Sequence, residues 1–141
     1  MNIENKIKVT FNALSVNEGF ARGVIGLFAV QLNPSVAELS DIKTAVSEAV
    51  TNCIVHAYPD KIGVIDLEAY IENNILHINV FDYGVGIENL EKALEPFYST
   101  KLDEERSGMG FTIMQSFMDE ISVKSKQGEG THIYMSKKLC R

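Results

Sequence analysis

Residues 65–81 read IDLEAYIENNILHINVF, and this stretch indicates the fold more directly than any other. Apolar side chains alternate with polar ones on both sides of Asn73-Asn74, which is the period of strands that bury one face. Because Asn tolerates a positive φ, the Asn pair predicts a tight turn between the two strands. We therefore expect an antiparallel hairpin whose apolar face lies against a core.

Strands are also expected on both sides of this hairpin in the chain. Residues 6–11 alternate in the same way, with Ile7 and Val9 on the apolar side, and predict one further strand. Two short strands are predicted over residues 121–125 and 131–137, joined by a turn at Gly128-Glu129-Gly130. The chain therefore supplies five candidate strands.

Two helices are predicted between the first strand and the hairpin. Each is expected to begin at a capping box, Ser15 with Glu18 and Ser35 with Glu38. The first is expected to stop at Asn33-Pro34 and the second to run to about Ala57. The apolar residues expected to face the core are Phe20, Val24, Leu27, Phe28 and Leu32 in the first helix, and Leu39, Ile42, Val46, Ala49, Val50 and Cys53 in the second.

The order of these elements determines the predicted fold class. Helices and strands do not alternate one for one, so a doubly wound parallel sheet is not expected. We predict an α/β protein of the α+β sandwich type, with helices covering one face of a mixed, largely antiparallel sheet. A length of 141 residues predicts a single domain spanning residues 1–141.

Composition excludes several classes of protein. Lys and Arg number 13 and Asp and Glu number 19, giving a net charge of −6, which is unfavourable for a general nucleic-acid binder. Two cysteines, Cys53 and Cys140, cannot form a disulfide framework, and Cys53 is expected to be a buried thiol. The chain opens without a signal-peptide pattern, and its longest apolar run, residues 24–30, is too short to span a membrane. The expected compartment is the cytoplasm, with no membrane association.

The second predicted helix carries a line of polar side chains. Glu48 and Asn52 are four residues apart and therefore stack on one face, with His56 one turn further. A solvated helix face would explain this pair if it stood alone. The glycine motifs further along the chain favour a functional interpretation.

The first of these motifs is Asp82-Tyr83-Gly84-Val85-Gly86, which directly follows a predicted strand. Alternating glycines indicate a sharp turn or a close approach of the backbone to another group. The motif is not a dinucleotide-binding fingerprint, because Asn89 stands at the third glycine position and no βαβ unit surrounds it. The sequence also contains no P-loop.

A second motif, Ser107-Gly108-Met109-Gly110-Phe111, opens a helix expected to run from about Gly110 to Met118. Free N–H groups and the positive end of the helix dipole at such a start suit a phosphate. Lys101 and Arg106 lie just upstream, with hydroxyl donors at Thr100 and Ser107, and strengthen the case for an anion site. The last motif, Gly128-Glu129-Gly130-Thr131, would by itself be an ordinary hairpin turn.

Taken in order, the motifs E-x-x-x-N, D-x-G-x-G, G-x-G and G-x-G-T resemble those of the GHKL superfamily of ATPases and kinases, whose Bergerat fold is a mixed sheet with helices on one face. The resemblance implies ATP or ADP as the nucleotide, Asn52 as the Mg²⁺ ligand and Asp82 as the acceptor of the adenine amino group. Gly84 and Gly86 would let the base approach the backbone, and Thr131 would close the adenine pocket. Residues 88–107 would form the ATP lid, and the backbone of Gly108, Met109, Gly110 and Phe111 would hold phosphates.

Three stretches narrow the resemblance to the anti-sigma F family of sporulating bacteria: residues 46–52, 106–114 and 117–120. That family implies a homodimeric serine kinase that sequesters a sporulation sigma factor F and phosphorylates a serine of an anti-anti-sigma factor. The Glu-Gly-Phe-Ala-Arg stretch ending at Arg22 resembles the region where an arginine contacts sigma, with Gly19 in place of a more usual polar residue. Within this resemblance we expect Glu48 to be the general base and Lys101 and Arg106 to neutralise charge on the γ-phosphoryl group.

Three other functions remain open from the sequence. A detached histidine-kinase catalytic domain would need a phosphoacceptor His on a helical hairpin, and the residues before position 6 leave no room for one. A stress-response anti-sigma kinase with a different sigma partner would use the same site. A binding module that uses ATP only structurally would not need Glu48.

Overall fold

The computed structural model describes residues 3–87 and 110–139. In this part of the chain, five strands form one sheet and three α-helices pack on one of its faces. In chain order the elements are β1 (Asn5–Asn12), α1 (Val16–Ala29), α2 (Val36–Asn52), β2 (Val64–Glu72), β3 (Ile75–Asp82), α3 (Gly110–Phe117), β4 (Glu120–Lys126) and β5 (Gly130–Lys138). The predicted α/β architecture is confirmed.

The strand order across the sheet is β1-β2-β3-β5-β4, and every pairing among the described strands is antiparallel. The predicted hairpin is the β2–β3 pair, and Asn73 and Asn74 both have positive φ values, 54° and 63°. β3 lies at the centre of the sheet, so its C-terminal residue, Asp82, is surrounded by neighbouring elements.

The core lies between α2 and the inner face of the sheet. The alternate residues Ile65, Leu67 and Ala69 of β2 are fully buried, as the two-residue period predicted. The buried residues of α2 include Ile42, Val46, Ala49 and Val50, which confirms the predicted apolar stripe. Burial of each Ile, Leu or Val side chain among them contributes about 1.5–3 kcal/mol.

The predicted inner face of α1 is partly wrong. Phe28 is buried, but Phe20 and Leu27 are 50% and 78% exposed. The residues that face the core instead include Ala21 and Ile25. A Cβ on Gly26 would lie 3.2 Å from the side chain of Lys43 on α2, so small residues on this face allow the two helices to approach closely.

The first predicted capping box is also wrong, whereas the second is confirmed. Ser35 accepts from the Glu38 N–H and Glu38 accepts from the Ser35 N–H, at 3.0 and 2.8 Å. Ser15 has helical backbone angles, φ −53° and ψ −35°, and makes no side-chain cap. Because Ser15 is itself helical, its side chain is not placed as an N-cap, and Glu18 bonds to other residues.

The second predicted helix changes geometry near its end. α2 runs to Asn52 and continues as a π-helical turn at Cys53–Ala57. Cys53 is buried, as predicted. Among the described helices none has the length and apolar character needed to span a membrane.

Candidate functional site

The polar residues predicted on α2 lie at its C-terminal end, beside the start of α3. Glu48 is only 8% exposed, so it does not lie on a solvated helix face. A Cβ placed on Gly110 would come within 3.4 Å of Glu48 Oε1, which shows that the carboxylate faces the first residue of α3. Asn52 ends α2 one turn later and His56 lies in the π-helical turn, and both are partly exposed.

Asp82 lies at the end of β3 and is 5% exposed. Its Oδ1 atom accepts hydrogen bonds from the N–H groups of Gly84 and Thr131, each at 3.1 Å. Burial raises the pKa of Asp82 above its ordinary value, and the donated hydrogen bonds offset part of this effect. Asp82 is therefore a carboxylate of fixed orientation, held by two backbone donors.

Thr131 is brought to Asp82 by the sheet. The two residues are direct partners in the β3–β5 register, although 49 positions separate them in the chain. The Thr131 hydroxyl shares a 2.8 Å hydrogen bond with the hydroxyl of Ser125 on β4, and Thr131 is 5% exposed. The structure thus places two motifs that are distant in the chain in direct contact.

The glycines of the D-x-G-x-G motif pack against protein backbone. A Cβ on Gly84 would lie 2.0 Å from the carbonyl oxygen of Ala57, and one on Gly86 would lie 2.4 Å from that of Lys126. The N–H of Val85 also donates to the Ala57 carbonyl at 2.9 Å. These contacts between chain segments explain both glycines, so close approach of a base is not needed to account for them.

Several predicted site residues lie outside the described residues. They are the lid, 88–107, with Thr100, Lys101, Arg106 and Ser107, and the loop residues Gly108 and Met109. Gly110 and Phe111 are described and form the start of α3. Phe111 is 6% exposed and belongs to the core, so only its backbone N–H is available for a phosphate.

Arg22 lies on α1, in a cluster with Glu18 and Ser47 that was not predicted from the sequence. Its Nη1 atom donates to Glu18 Oε2 at 2.9 Å and approaches the Ser47 hydroxyl at 3.4 Å. The Arg22 side chain remains 44% exposed. The i, i+4 spacing of Glu18 and Arg22 was a signal for their ion pair, but the contact with Ser47 on α2 depends on helix packing.

Tyr58, which follows the π-helical turn, was not predicted as a site residue from the sequence. Its hydroxyl accepts a hydrogen bond from the N–H of Tyr83 at 2.7 Å and donates one to the carbonyl of Val64 at 2.6 Å. Tyr58 thereby joins the residue after Asp82 to the start of β2. In the sequence it stands only as the residue after the expected end of the second helix near Ala57.

Glu48 and Asn52 offer oxygen donors of the kind that Mg²⁺ prefers. The described residues contain no cluster of three His, Cys, Asp or Glu side chains placed to hold a metal ion. Asn52 offers a neutral amide oxygen one helical turn from the Glu48 carboxylate. Mg²⁺ is typically bound by one or two protein oxygens together with phosphates and water, so these residues suit a metal that arrives with a nucleotide.

The chain is similar in sequence to one family of ATPase domains and to proteins of a single name. Residues 12–137 match the model of the histidine kinase-like ATPase domain family. The chain is 53% identical over 141 residues to the anti-sigma F factor of Caldanaerobacter subterraneus subsp. tengcongensis, covering 100% of this chain and 99% of that protein. It is 54% identical over 137 residues to the anti-sigma F factor of Clostridium acetobutylicum, covering 97% and 96%.

Two solved structures share the fold at low sequence identity. The RsbU and RsbW domains of a Mycobacterium tuberculosis protein match with a TM-score of 0.70 and 17% identity, covering 97% of this chain and 32% of that one. The mycobacterial sensor histidine kinase MprB matches with a TM-score of 0.59 and 16% identity, covering 95% and 100%.

Proposed function

Because this chain belongs to the anti-sigma F factor family of histidine kinase-like ATPase domains, we propose that it is an anti-sigma factor and an ATP-dependent protein serine kinase. Its sigma partner would be the sporulation sigma factor F, and its substrate would be a serine of an anti-anti-sigma factor. The observation that carries the proposal is 53% identity over the whole chain to a protein named for the first activity. The buried Glu48 beside the start of α3 supports the second.

The nucleotide would lie between the C-terminal end of α2 and the end of β3. Asp82 would accept a hydrogen bond from the adenine amino group, with Thr131 beside it. Asn52 would hold Mg²⁺, and His56 would line the same cleft. When bound, the metal would neutralise phosphate charge.

The N–H groups at Gly110 and Phe111, together with Gly108 and Met109, would hold the phosphates at the positive end of α3. Thr100, Lys101, Arg106 and Ser107 would belong to a lid over residues 88–107. Its cations would stabilise charge on the γ-phosphoryl group.

Phosphoryl transfer requires positioning and charge neutralisation more than covalent chemistry. The hydroxyl oxygen of the substrate serine would form a bond to the γ-phosphorus, while the bond from that phosphorus to the β–γ bridging oxygen breaks and ADP leaves. Glu48 would accept the hydroxyl proton as the general base. Its burial beside α3 supports this role, because a carboxylate shielded from water can be aimed at the hydroxyl group of a single bound serine.

Sigma binding would use a different surface. Arg22 is 44% exposed on α1, and its guanidinium is already oriented by Glu18. A partner carboxylate could pair with the donors that remain free to solvent. The chain would act as a homodimer, and ATP and ADP complexes would differ in partner affinity if the lid responds to the γ-phosphate.

The deciding experiment is to incubate the purified chain with Mg-ATP and an anti-anti-sigma protein, and to measure the intact mass of that protein. We expect a gain of one phosphoryl group, mapped to a serine by fragmentation. Asp82→Ala, which removes the adenine acceptor, should abolish the gain. Calorimetry with sigma factor F tests the second activity. Failure of the wild-type chain to bind ATP or ADP at millimolar levels with Mg²⁺ present would overturn the kinase proposal.

A further inference from the structure

The segment that contains Asp82 is attached to the rest of the protein through Tyr58. The Tyr58 hydroxyl makes two hydrogen bonds to backbone, accepting from the N–H of Tyr83 at 2.7 Å and donating to the carbonyl of Val64 at 2.6 Å. Tyr83 directly follows Asp82, and Val64 begins β2. A single hydroxyl group therefore connects the residue next to the buried carboxylate to the neighbouring strand.

The ring of Tyr58 occupies space that is left by the missing side chain of Gly63. A Cβ on Gly63 would lie 2.2 Å from two ring carbons of Tyr58, so the absence of a side chain at Gly63 is what allows the ring to lie there. Gly63 has no positive φ value, so backbone conformation does not require glycine at this position. The close approach of the ring is the feature that requires it.

Further contacts hold the same segment. The N–H of Val85 donates to the carbonyl of Ala57, the residue before Tyr58, at 2.9 Å. The phenol of Tyr83 donates to Asp66, which also accepts from the hydroxyl of Thr10 on β1. The hydrogen bond to Asp66 raises the pKa of Tyr83 to about 12, because the protonated phenol is the form that donates to the carboxylate. Tyr83 is therefore fixed at its amide by Tyr58 and at its phenol by Asp66.

We propose that Tyr58 is a positioning residue for adenine recognition, because its hydroxyl fixes the Tyr83 amide and so the backbone on the C-terminal side of Asp82. The inference rests on the proposed function, in which Asp82 accepts from the adenine amino group. Asp82 has its own hydrogen bonds from Gly84 and Thr131. Those bonds determine the rotamer of the carboxylate, whereas Tyr58 holds the backbone that directly follows Asp82 at the end of β3. A hydrogen bond aimed at a ligand depends on both.

The experiment compares two nucleotides in wild-type protein and in Tyr58→Phe. One is ATP, and the other is the triphosphate of purine riboside, which lacks the amino group and therefore does not engage Asp82 as a donor. Wild-type protein should prefer ATP by about tenfold or more, as expected for a hydrogen bond to a charged group. Tyr58→Phe should bind ATP about three- to tenfold more weakly, with affinity for the analogue unchanged.

Two further variants test whether the effect of Tyr58→Phe comes from the position of the Tyr58 hydroxyl. Gly63→Ala adds a methyl group where the Tyr58 ring lies, so it should reduce the preference for ATP while leaving the hydroxyl in the chain. Tyr70→Phe removes a hydroxyl from a tyrosine that stacks on His77 on the sheet, and should leave the preference unchanged. Thermal melting of each variant confirms that the proteins being compared are folded.

The possible outcomes separate this inference from the proposed function. If wild-type protein binds both nucleotides equally, Asp82 does not read the amino group, and both the assignment of Asp82 and this inference are wrong. If wild-type protein prefers ATP and Tyr58→Phe retains that preference in full, only the inference fails. An equal loss of affinity for both nucleotides in Tyr58→Phe would show a general structural role and would also overturn it.

Discussion

The hydroxyl of Ser47 donates a hydrogen bond to the carboxylate of Glu18 at 2.5 Å, across the contact between α2 and α1. The same Glu18 oxygen accepts from Arg22, so one carboxylate links the guanidinium on α1 to the residue that precedes Glu48 on α2. This relationship connects the proposed sigma-binding residue to the helix that carries the proposed base. We therefore expect both proposed functions to respond to changes in the packing of α1 against α2.

Ser47→Ala should weaken binding of sigma factor F, because Glu18 would lose the contact that fixes its carboxylate beside Arg22. We expect a loss of about three- to tenfold, smaller than that of Arg22→Ala, since the ion pair within α1 remains. Isothermal titration calorimetry would measure both. Ser122→Ala, at an exposed position of β4, is the matched control. Unchanged affinity in Ser47→Ala would show that the link across the helices does not orient Arg22.

Glu48→Gln should retain nucleotide binding and lose phosphoryl transfer. The amide has nearly the same shape as the carboxylate but cannot accept the proton of the substrate hydroxyl, and removal of a positioned base costs about 10²–10⁴-fold in rate. Single-turnover transfer and equilibrium binding of ATP are the two measurements. Glu4→Gln, at an exposed position before β1, provides the control. Transfer at the wild-type rate in Glu48→Gln would remove Glu48 from the mechanism.

The spacing of apolar residues correctly predicted the elements that keep the same face buried along their whole length. The β2–β3 hairpin and the buried stripe of α2 were predicted correctly, because one face of each lies wholly against the core. α1 was only partly predicted, because it is apolar on more than one side. Close packing at Gly26 selects its inner face, and Phe20 and Leu27 are left exposed.

The sequence motifs predicted which residues belong to the candidate site, but not which of them are in contact. The resemblance selected Asp82 and Thr131, but their direct pairing follows from β5 lying beside β3, a topology that no local pattern encodes. Tyr58 was missed for the same reason. Its two hydrogen-bond partners belong to β2 and to the segment after β3, so its role exists only once the sheet has formed.

Acidification should destabilise the protein through His77. Burial lowers the pKa of His77 and outweighs the opposite effect of Glu72 and Glu120, while Nδ1 contacts the Tyr134 hydroxyl at 2.7 Å. Because the folded-state pKa is depressed, the unfolded chain binds more protons as the pH falls below the ordinary His value of about 6.5. The stability due to neutral His77 is complete above that value and is lost as the pH falls through the folded-state pKa.

Chemical denaturation of wild-type protein and of His77→Gln between about pH 5 and pH 8 tests this prediction. We expect the free energy of unfolding of wild-type protein to fall more steeply toward acid than that of the variant. His132, whose pKa is lowered by burial and by Lys124, should contribute in the same direction, so some acid dependence should remain in the variant. Parallel pH profiles for the two proteins would contradict the role of His77.

Two glycines of the β4–β5 turn should respond differently to the same substitution. Gly128 and Gly130 both have positive φ values, 83° and 115°, so Ala is strained at either position. Nothing lies within 4 Å of a Cβ on Gly128, whereas one on Gly130 would lie 2.2 Å from the carbonyl oxygen of Asp82. Gly128→Ala should therefore cost about 1–2 kcal/mol of unfolding free energy, from backbone strain alone.

Gly130→Ala should cost about 3 kcal/mol or more, because backbone atoms cannot yield as a flexible side chain would and β5 must move away from β3 beside Asp82. Affinity for ATP should then fall in Gly130→Ala and stay near the wild-type value in Gly128→Ala. Denaturant titration and equilibrium nucleotide binding measure the two effects. Equal ATP affinity in both variants would show that the contact between Gly130 and Asp82 does not shape the adenine site.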